Sequence, residues 1–287
     1  MRNSSDAWAV GHFTAPDQDD DGLNMLTERW NGTSWAQVSA PAVLHQDESL
    51  LAVRASSTSD AWAVGFTKTV GAAGRFPLAV HWNGTSWAIV PTPTLSGGSK
   101  STLNGVAALS ATDAWAVGKG RNGAALTEHW NGGAWTVVAV PTPAGATSSQ
   151  LSAISARSPS DIWAVGSVSV LVGTTVQGRT LVEHWNGSTW SIVPSRNATT
   201  SNLLTGVAAV AANDVWAVGY TITTDGTNQP DRTLIEHWNG SSWSVVGSPN
   251  VGGNDNLLNG VSATPGDVWA VGSSNVTAHT LALRETG

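Results

Sequence analysis

Residues 236–243 read EHWNGSSW. Nearly the same string returns as EHWNGSTW (183–190), EHWNGGAW (128–135), VHWNGTSW (80–87) and ERWNGTSW (28–35). A catalytic motif is needed once. A string needed five times either holds something up or presents several copies of one site. A second string keeps step with the first: DAWAVG at 6, 60 and 113, DIWAVG at 161, and DVWAVG at 214 and 267. The spacings between its aspartates are 54, 53, 48, 53 and 53. Repeats of this period point to propellers or solenoids. Together the two strings hold all 16 tryptophans. Trp8, Trp62, Trp115, Trp163, Trp216 and Trp269 sit in the DxWAVG slot, and the others form the WNGxxW pairs.

One unit reads as four strands. Strand a, such as LTGVAAV (204–210), is small and apolar, as the crowded axis of a propeller requires. Strand b, VWAVG, is apolar on both faces and so lies between two layers. Strand c, TLIEHW, puts Leu234, Glu236 and Trp238 on one face and Ile235 and His237 on the other. Asn-Gly predicts a type I′ hairpin turn, because both of its central residues need positive φ. Strand d, SWSVV, ends at proline in most copies and is the expected outer edge. Four short antiparallel strands recurring at this period describe a propeller blade. The tryptophans flanking the turn fall on one sheet face and are expected to pack against the neighbouring blade. Burying one indole removes roughly 150–250 Å² from water, or several kcal/mol at about 25 cal/mol per Å².

The expected fold is an all-β propeller over residues 1–287 as one domain, with units near 1–49, 50–101, 102–149, 150–202, 203–256 and 257–287. The sequence supplies six b, six c, five a and five d strands. Six blades with the first and last three-stranded is the simplest reading. A slice of a longer array, or closure by a second chain, are the alternatives. Unpaired edges at such a seam predict either a monomer or a seam-mediated dimer. The start, MRNSSDAWAVG, carries no apolar signal-peptide core and suggests a fragment or a mature portion.

Composition excludes several classes. Apolar residues make up 41% and charged residues 11%, as in an ordered globular chain. The net charge is −7 with no basic patch, which argues against nucleic acid as a partner. There are no cysteines, hence no disulfides or thiolate metal sites. No apolar run is long enough to span a membrane.

The pairing of DxWAVG with WNGxxW resembles the Trp-rich β-propeller repeats of bacterial proteins, relatives of kelch-type and BNR-type repeats, along essentially the whole chain. That resemblance implies a propeller and a secreted or cell-surface protein. LTEHWNGGAW (126–135) is similar to the strand–turn–strand unit of six-bladed fucose-binding lectins, in which a Glu, a Trp and an Arg hold each sugar. It implies sugar-binding roles for Glu28, Glu128, Glu183 and Glu236, each with its Trp two residues on. Valine (Val80) replaces Glu in the second repeat. Arg179 and Arg232 share a slot just before strand c rather than the lectin position.

DQDDDGLNMLTE (17–28) fits D-x-D-x-D-G-x5-E, with Asp17, Asp19, Asp21 and Glu28 as candidate Ca²⁺ ligands. Calcium takes six to eight oxygens, and alternate residues of a turn aim carboxylates inward. Met25 at the ninth position offers no side-chain oxygen, and the competing reading is a solvated acidic loop. The strand c histidines His81, His129, His184 and His237 fall in different blades and cannot converge on one metal; a hydrogen-bonded structural role is expected. The aspartates before strand b (Asp6, Asp60, Asp113, Asp161, Asp214 and Asp267) are expected to accept backbone N–H bonds in a tight turn.

No nucleophile motif, phosphate loop or nucleotide fingerprint occurs. A glycosidase would need two carboxylates about 5–10 Å apart, and nothing pairs them across a pocket. A non-catalytic protein is therefore expected. The c–d turn is uniform, whereas the b–c connections differ, with gaps of 19, 17, 12, 19 and 19 residues from the strand b glycine to the strand c tryptophan. Loops on a rigid scaffold carry function. A ligand, either a protein or a glycan, is expected on the face bearing the b–c and d–a loops, with Phe13, Phe66, Arg75, Phe76, Arg121, Arg179, Tyr220, Asp225 and Arg232 as candidate contacts.

Overall fold

The structure is a computed structural model. It describes residues 5–14, 22–43, 46–69, 74–94, 100–222, 229–274 and 279–286. The chain divides into two compact units, Met1–Ala139 and Val140–Gly287. Among the described residues every regular element is a strand.

The first unit contains three antiparallel sheets. They are β1 (Ala7–Thr14), β2 (Leu23–Trp30) and β3 (Trp35–Gln37); β4 (Gln46–Ser57), β5 (Asp60–Thr69), β6 (Phe76–Trp82) and β7 (Trp87–Ile89); and β8 (Thr102–Ser110), β9 (Asp113–Lys119), β10 (Ala125–Trp130) and β11 (Trp135–Val137). The second unit repeats the plan. Its sheets are β12 (Ala146–Ser158), β13 (Asp161–Val172), β14 (Thr175–Trp185) and β15 (Trp190–Ile192); β16 (Ser201–Ala211), β17 (Asp214–Ile222), β18 (Arg232–Trp238) and β19 (Trp243–Val246); and β20 (Asn256–Thr264), β21 (Asp267–Ser274) and β22 (His279–Thr286). In each sheet the strands lie in chain order, with the short d strand outermost where one is present. The first sheet has no a strand and the last no d strand among the described residues, as the sequence count requires. One parallel bridge, Gly178 to Ser201, links the fourth and fifth sheets.

The hairpin between strands c and d differs from the expected turn. The tryptophans themselves are cross-strand partners, Trp30 with Trp35 and Trp82 with Trp87, so the loop has four residues and Asn-Gly is not the centre of a type I′ turn. The Asn83 side chain closes the loop, its Oδ1 accepting the N–H groups of Thr85 and Ser86 at 3.0 Å each. Asn31, Asn131, Asn186 and Asn239 do the same. The glycine has φ +97° at Gly84, and a Cβ there would come within 2.9 Å of Ser59 Cβ on the a–b turn. The Asn-Gly pair therefore supplies a local cap and a close approach.

The glycine of WAVG has another cause. A Cβ at Gly118 would lie 1.9 Å from the Thr102 carbonyl, beside the β8 bulge between Leu103 and Gly105. Gly65, Gly166, Gly219 and Gly272 face the same obstacle from their own strand a. Gly11, in the sheet without strand a, meets nothing within 4 Å.

The core lies between sheets, where the strand b indole leans on the tryptophan pair of the following sheet. Trp8 lies 5.0 Å from Trp82 and 4.9 Å from Trp87. Trp62 lies 4.9 Å from both Trp130 and Trp135. Trp163 lies 5.3 Å from Trp238 and 5.6 Å from Trp243. The members of a pair differ in role. The strand c indole donates to its own a–b turn (Trp130 to the Ala111 carbonyl at 3.0 Å, Trp238 to that of Ala212 at 3.1 Å), while the strand d indole is buried. The packing expectation fails at two outer positions: Trp35 is 47% exposed and Trp269 is 43% exposed.

Candidate functional site

The recurrent aspartates have a different partner from the one expected. Asp60 Oδ1 lies 2.7 Å from His81 Nε2, and Asp113, Asp161 and Asp214 hold His129, His184 and His237 at 2.9, 2.9 and 3.0 Å. Each imidazole also lies on the strand b indole of its own sheet, with centroids 4.4 Å apart for Trp62–His81 and 4.3 Å for Trp115–His129, Trp163–His184 and Trp216–His237. The register explains this, since Trp62 and His81 are cross-strand partners with side chains on one face. The first and last sheets carry arginine instead. Arg29 bonds Asp6 at 2.9 Å with its guanidinium 5.2 Å from the Trp8 ring, and Arg284 bonds Asp267 at 2.8 Å, 5.3 Å from Trp269. The set is therefore a structural clasp of aspartate, cation or imidazole, and indole, and the aspartates cap a side chain rather than backbone.

The strand c glutamates are closed off. Glu128, Glu183 and Glu236 are 0% exposed. Burial drives the Glu128 and Glu183 carboxyls up to about 8 and that of Glu236 to about 7. Glu236 Oε2 accepts the Arg196 N–H at 3.3 Å, which offsets part of the desolvation. In the repeat frame Arg196 corresponds to Pro93 and Pro141 ahead of the other two glutamates, and proline has no N–H to give. Carboxyls sealed in this way do not meet a sugar, so the lectin-like role implied for them does not hold in this conformation. Glu28 is half-buried in β2, opposite Ala9 and Gln37, roughly 16 Å along the strand from Leu23 at about 3.3 Å per residue. Asp17, Asp19 and Asp21 lie outside the described residues, as does Asp225.

Within each unit the b–c and d–a loops emerge on one face and are tied together. Asp47 Oδ1 accepts the Leu23 N–H at 3.1 Å, the Arg75 carbonyl accepts that of Ser101 at 3.1 Å, and the Asp231 carbonyl accepts that of Asn256 at 3.0 Å. Inside the d–a loops, Asn197 and Asn250 accept the N–H groups of Thr180 and Thr233, and buried Asn202 and Asn256 accept from Ala198 and Val251. These bonds make a wired platform.

The expected contact residues divide on this face. Phe13 and Phe76 are exposed, at 38% and 45%. Phe66 is buried, with the Arg75 guanidinium 4.1 Å above its ring, so it supports Arg75 and offers no surface of its own. Arg121 and Arg179 are exposed, whereas Tyr220 and Arg232 are half-buried. Burial and the nearby Asp231 raise the Tyr220 phenol, and burial and Asp255 raise the Asp231 carboxyl. Asp255 Oδ1 also accepts the Asp231 N–H at 2.9 Å. Sequence reading singled out Tyr220 but not Asp231 or Asp255, which meet it only through sheet pairing.

The other feature missed is the β13–β14 hairpin. Its ladder continues to the Val172–Thr175 pair, whereas β9–β10 stops at Lys119–Ala125, the counterpart of Ser167–Thr180. The extension beyond Ser167 adds roughly 16 Å at about 3.3 Å per residue. Its tip exposes Leu171 (56%), Val172 (42%) and Val176 (57%). The alternation in SVSVLVGTTVQGR (167–179) was the available signal.

No protein-family model matches the chain, and no curated protein does. Kinship with kelch-type and BNR-type repeats therefore rests on the motifs alone. Among solved structures the chain is similar to a polysaccharide lyase of family PL25, an ulvan lyase, at 12% identity and TM-score 0.59, covering 97% of this chain and 81% of that one. It is also similar to the six-bladed fucose-recognising lectin of the fungus Aleuria aurantia, at 11% identity and TM-score 0.52, covering 98% and 92%. A looser likeness, at TM-score 0.47 and 14% identity, is to YCF48 bound to a D1 peptide; the chain spans 66% of that protein's length. Together with the repeated four-stranded antiparallel sheets, the likeness to propeller lectins shows a β-propeller fold.

Proposed function

We propose that the protein is a non-catalytic binding propeller that engages a protein partner through the b–c/d–a face. The observation that carries this reading is the projecting β13–β14 hairpin, whose tip holds Leu171, Val172 and Val176 in water. Clustered apolar side chains exposed at a loop tip mark interaction surfaces. In the first unit, Phe13 and Phe76 are exposed on that unit's own loop face, at the ends of β1 and β6. The hydrogen bonds beneath the face hold the d–a loops in place, which lowers the ordering cost of binding.

The second reading is a carbohydrate-binding propeller, favoured by the Tyr220–Asp231–Asp255 grouping, an aromatic ring beside two carboxyls. A Ca²⁺ ion on the 17–21 loop belongs to this reading. Extracellular placement, by the motif resemblance, suits either one.

The test replaces the b–c loops with the short KGRNGAA version (119–125). Chemical cross-linking with mass spectrometry in host lysate reads the partner, and a glycan array with and without EDTA reads the sugar. A partner captured by the parent protein and lost in the loop-swapped one, at unchanged Tm, supports the first reading. Sharp glycan hits move the assignment to the second, and their loss in EDTA assigns the ion. Turnover on a glycoside or uronate panel overturns both.

A further inference from the structure

Residues 61–160 hold six basic residues and only two acidic ones, Asp113 and Glu128, in a chain whose net charge is −7. The basic residues are scattered, so the sequence shows no patch. Sheet pairing gathers five of them on the loop face of the first unit. Lys68 and Arg75 flank the last pair of the β5–β6 ladder, Thr67–Phe76. Lys100 precedes Ser101, whose N–H donates to the Arg75 carbonyl at 3.1 Å. Thr102 comes next and pairs with Lys119. Arg121 stands in the short β9–β10 turn, which the Gly120 N–H closes onto the Ala124 carbonyl at 2.7 Å. Hydrogen-bonded strands lie about 4.8 Å apart, so the row from Lys68 to Lys119 spans about 15 Å. Arg75, Lys100 and Arg121 are exposed.

The neighbouring carboxylates are engaged elsewhere. Asp47 lies 3.5 Å from Lys68 Nζ and accepts the Leu23 N–H. Glu48 is 2% exposed and accepts the Val43 N–H. Asp113 holds His129 at the far end of β9, and Glu128 is sealed inside. The sixth basic residue, Arg157, is paired with Asp161 in the second unit. The four aspartates Asp17, Asp19, Asp20 and Asp21 belong to the first sheet's b–c connection and lie outside the described residues.

We infer that this row is a docking site for an acidic, extended segment of a partner protein, its carboxylates set along Arg75, Lys100, Lys119 and Arg121 and an apolar side chain on Phe76. The inference rests on the reading of the loop face as protein-binding and adds the chemistry of the partner. An extended chain advances about 3.3 Å per residue, so about five residues cover the row. The Arg75 guanidinium lies 4.1 Å above the Phe66 ring, which holds that charge in place, and Phe76 beside it is 45% exposed. A protein segment supplies both carboxylates and an apolar side chain, whereas the sulfates of a glycan would use the cations and leave Phe76 in water. Opposite charge also steers such a segment onto this face and sets its register.

The probe is a fluorescein-labelled peptide EEFEEE, titrated into the 287-residue protein and read by anisotropy. Saturable binding is expected at about 50 mM NaCl and a loss of at least about tenfold at about 500 mM, because salt screens exposed charges. Lys100→Gln, Lys119→Gln and Arg121→Gln together are expected to weaken binding at least about fivefold at unchanged Tm. The single Lys100→Gln, on an exposed side chain, is expected to weaken it about twofold, which keeps the test open if the triple variant folds poorly. Arg54→Gln, at the opposite end of β4, leaves binding as it is. The proposal is overturned if no saturable binding occurs, or if the folded triple variant binds as well as the parent. Tighter binding of a heparin fragment or a single-stranded oligonucleotide, lost in the same variant, assigns the row to another polyanion and overturns the protein segment. Cross-linked partner capture that is unchanged in the triple variant also overturns it, while leaving the protein-binding reading of the face intact.

Discussion

His81 lies across its sheet from Asp60, with Nε2 2.7 Å from the carboxylate Oδ1. The same relationship recurs wherever strand c ends in His-Trp, and arginine takes the histidine's place in the first and last sheets. Six aspartates that look like turn caps in the sequence are thus anchors for a ring or a guanidinium lying on an indole.

The clasp accepts either base. His81→Arg is expected to hold stability within about 0.5 kcal/mol, while His81→Leu, which leaves the buried Asp60 carboxylate with Ser56 Oγ on Oδ2 and nothing in place of the imidazole on Oδ1, costs about 1–3 kcal/mol. Urea unfolding of the two variants checks this, and an equal loss in both would refute the clasp.

The indoles are unequal in energy. Trp243→Ala removes a ring that is 1% exposed and is expected to cost about 3–5 kcal/mol. Trp35→Ala removes one that is 47% exposed and should cost under about 1 kcal/mol. Calorimetric Tm values in both variants measure the contrast.

Stability should fall as pH rises from about 4.5 to about 8. Glu128 and Glu183, driven up to about 8, stay protonated in the folded protein while the unfolded chain ionises above its ordinary carboxylate value of 4.5. The folded state then binds more protons, so stability is full below the unfolded pKa and is lost on the way to the folded one. Glu128→Gln with Glu183→Gln is expected to flatten the slope of Tm against pH between 5 and 8. A slope as steep as the parent's would contradict it.

The WAVG glycines separate by context. Gly118→Ala places a methyl 1.9 Å from the Thr102 carbonyl and is expected to destabilise by more than about 2 kcal/mol. Gly11→Ala meets nothing within 4 Å and should be close to neutral. Thermal melts of the pair distinguish a steric requirement from a general strand preference.

The strands were legible in the sequence because the repeat displays each position five or six times. Period-two alternation placed Leu234, Glu236 and Trp238 on one face, and the count of strands named the two short sheets correctly. Partner identity was harder to read. Asp60 and His81 are far apart in sequence, and only the register of β5 on β6 shows that they meet. The type I′ reading of Asn-Gly failed because Asn83 spends its side chain on Thr85 and Ser86, lengthening the loop. Phe66 was misplaced because aromatic character alone does not say which face of β5 it takes. On the loop face, exposure of Leu171 and Val176 depends on how far a hairpin outgrows its neighbours, which composition does not encode.

Because Trp8, Trp62 and Trp163 each rest on the sheet that follows their own, shelter inside a unit is handed down in one direction. Fraying of the third sheet bares Trp62, and fraying of the second bares Trp8, whereas opening the first sheet uncovers no indole of its successor's strand b. Damage therefore travels from the later sheets toward the earlier ones, and a fluorescence-detected melt of either unit should begin at its C-terminal edge.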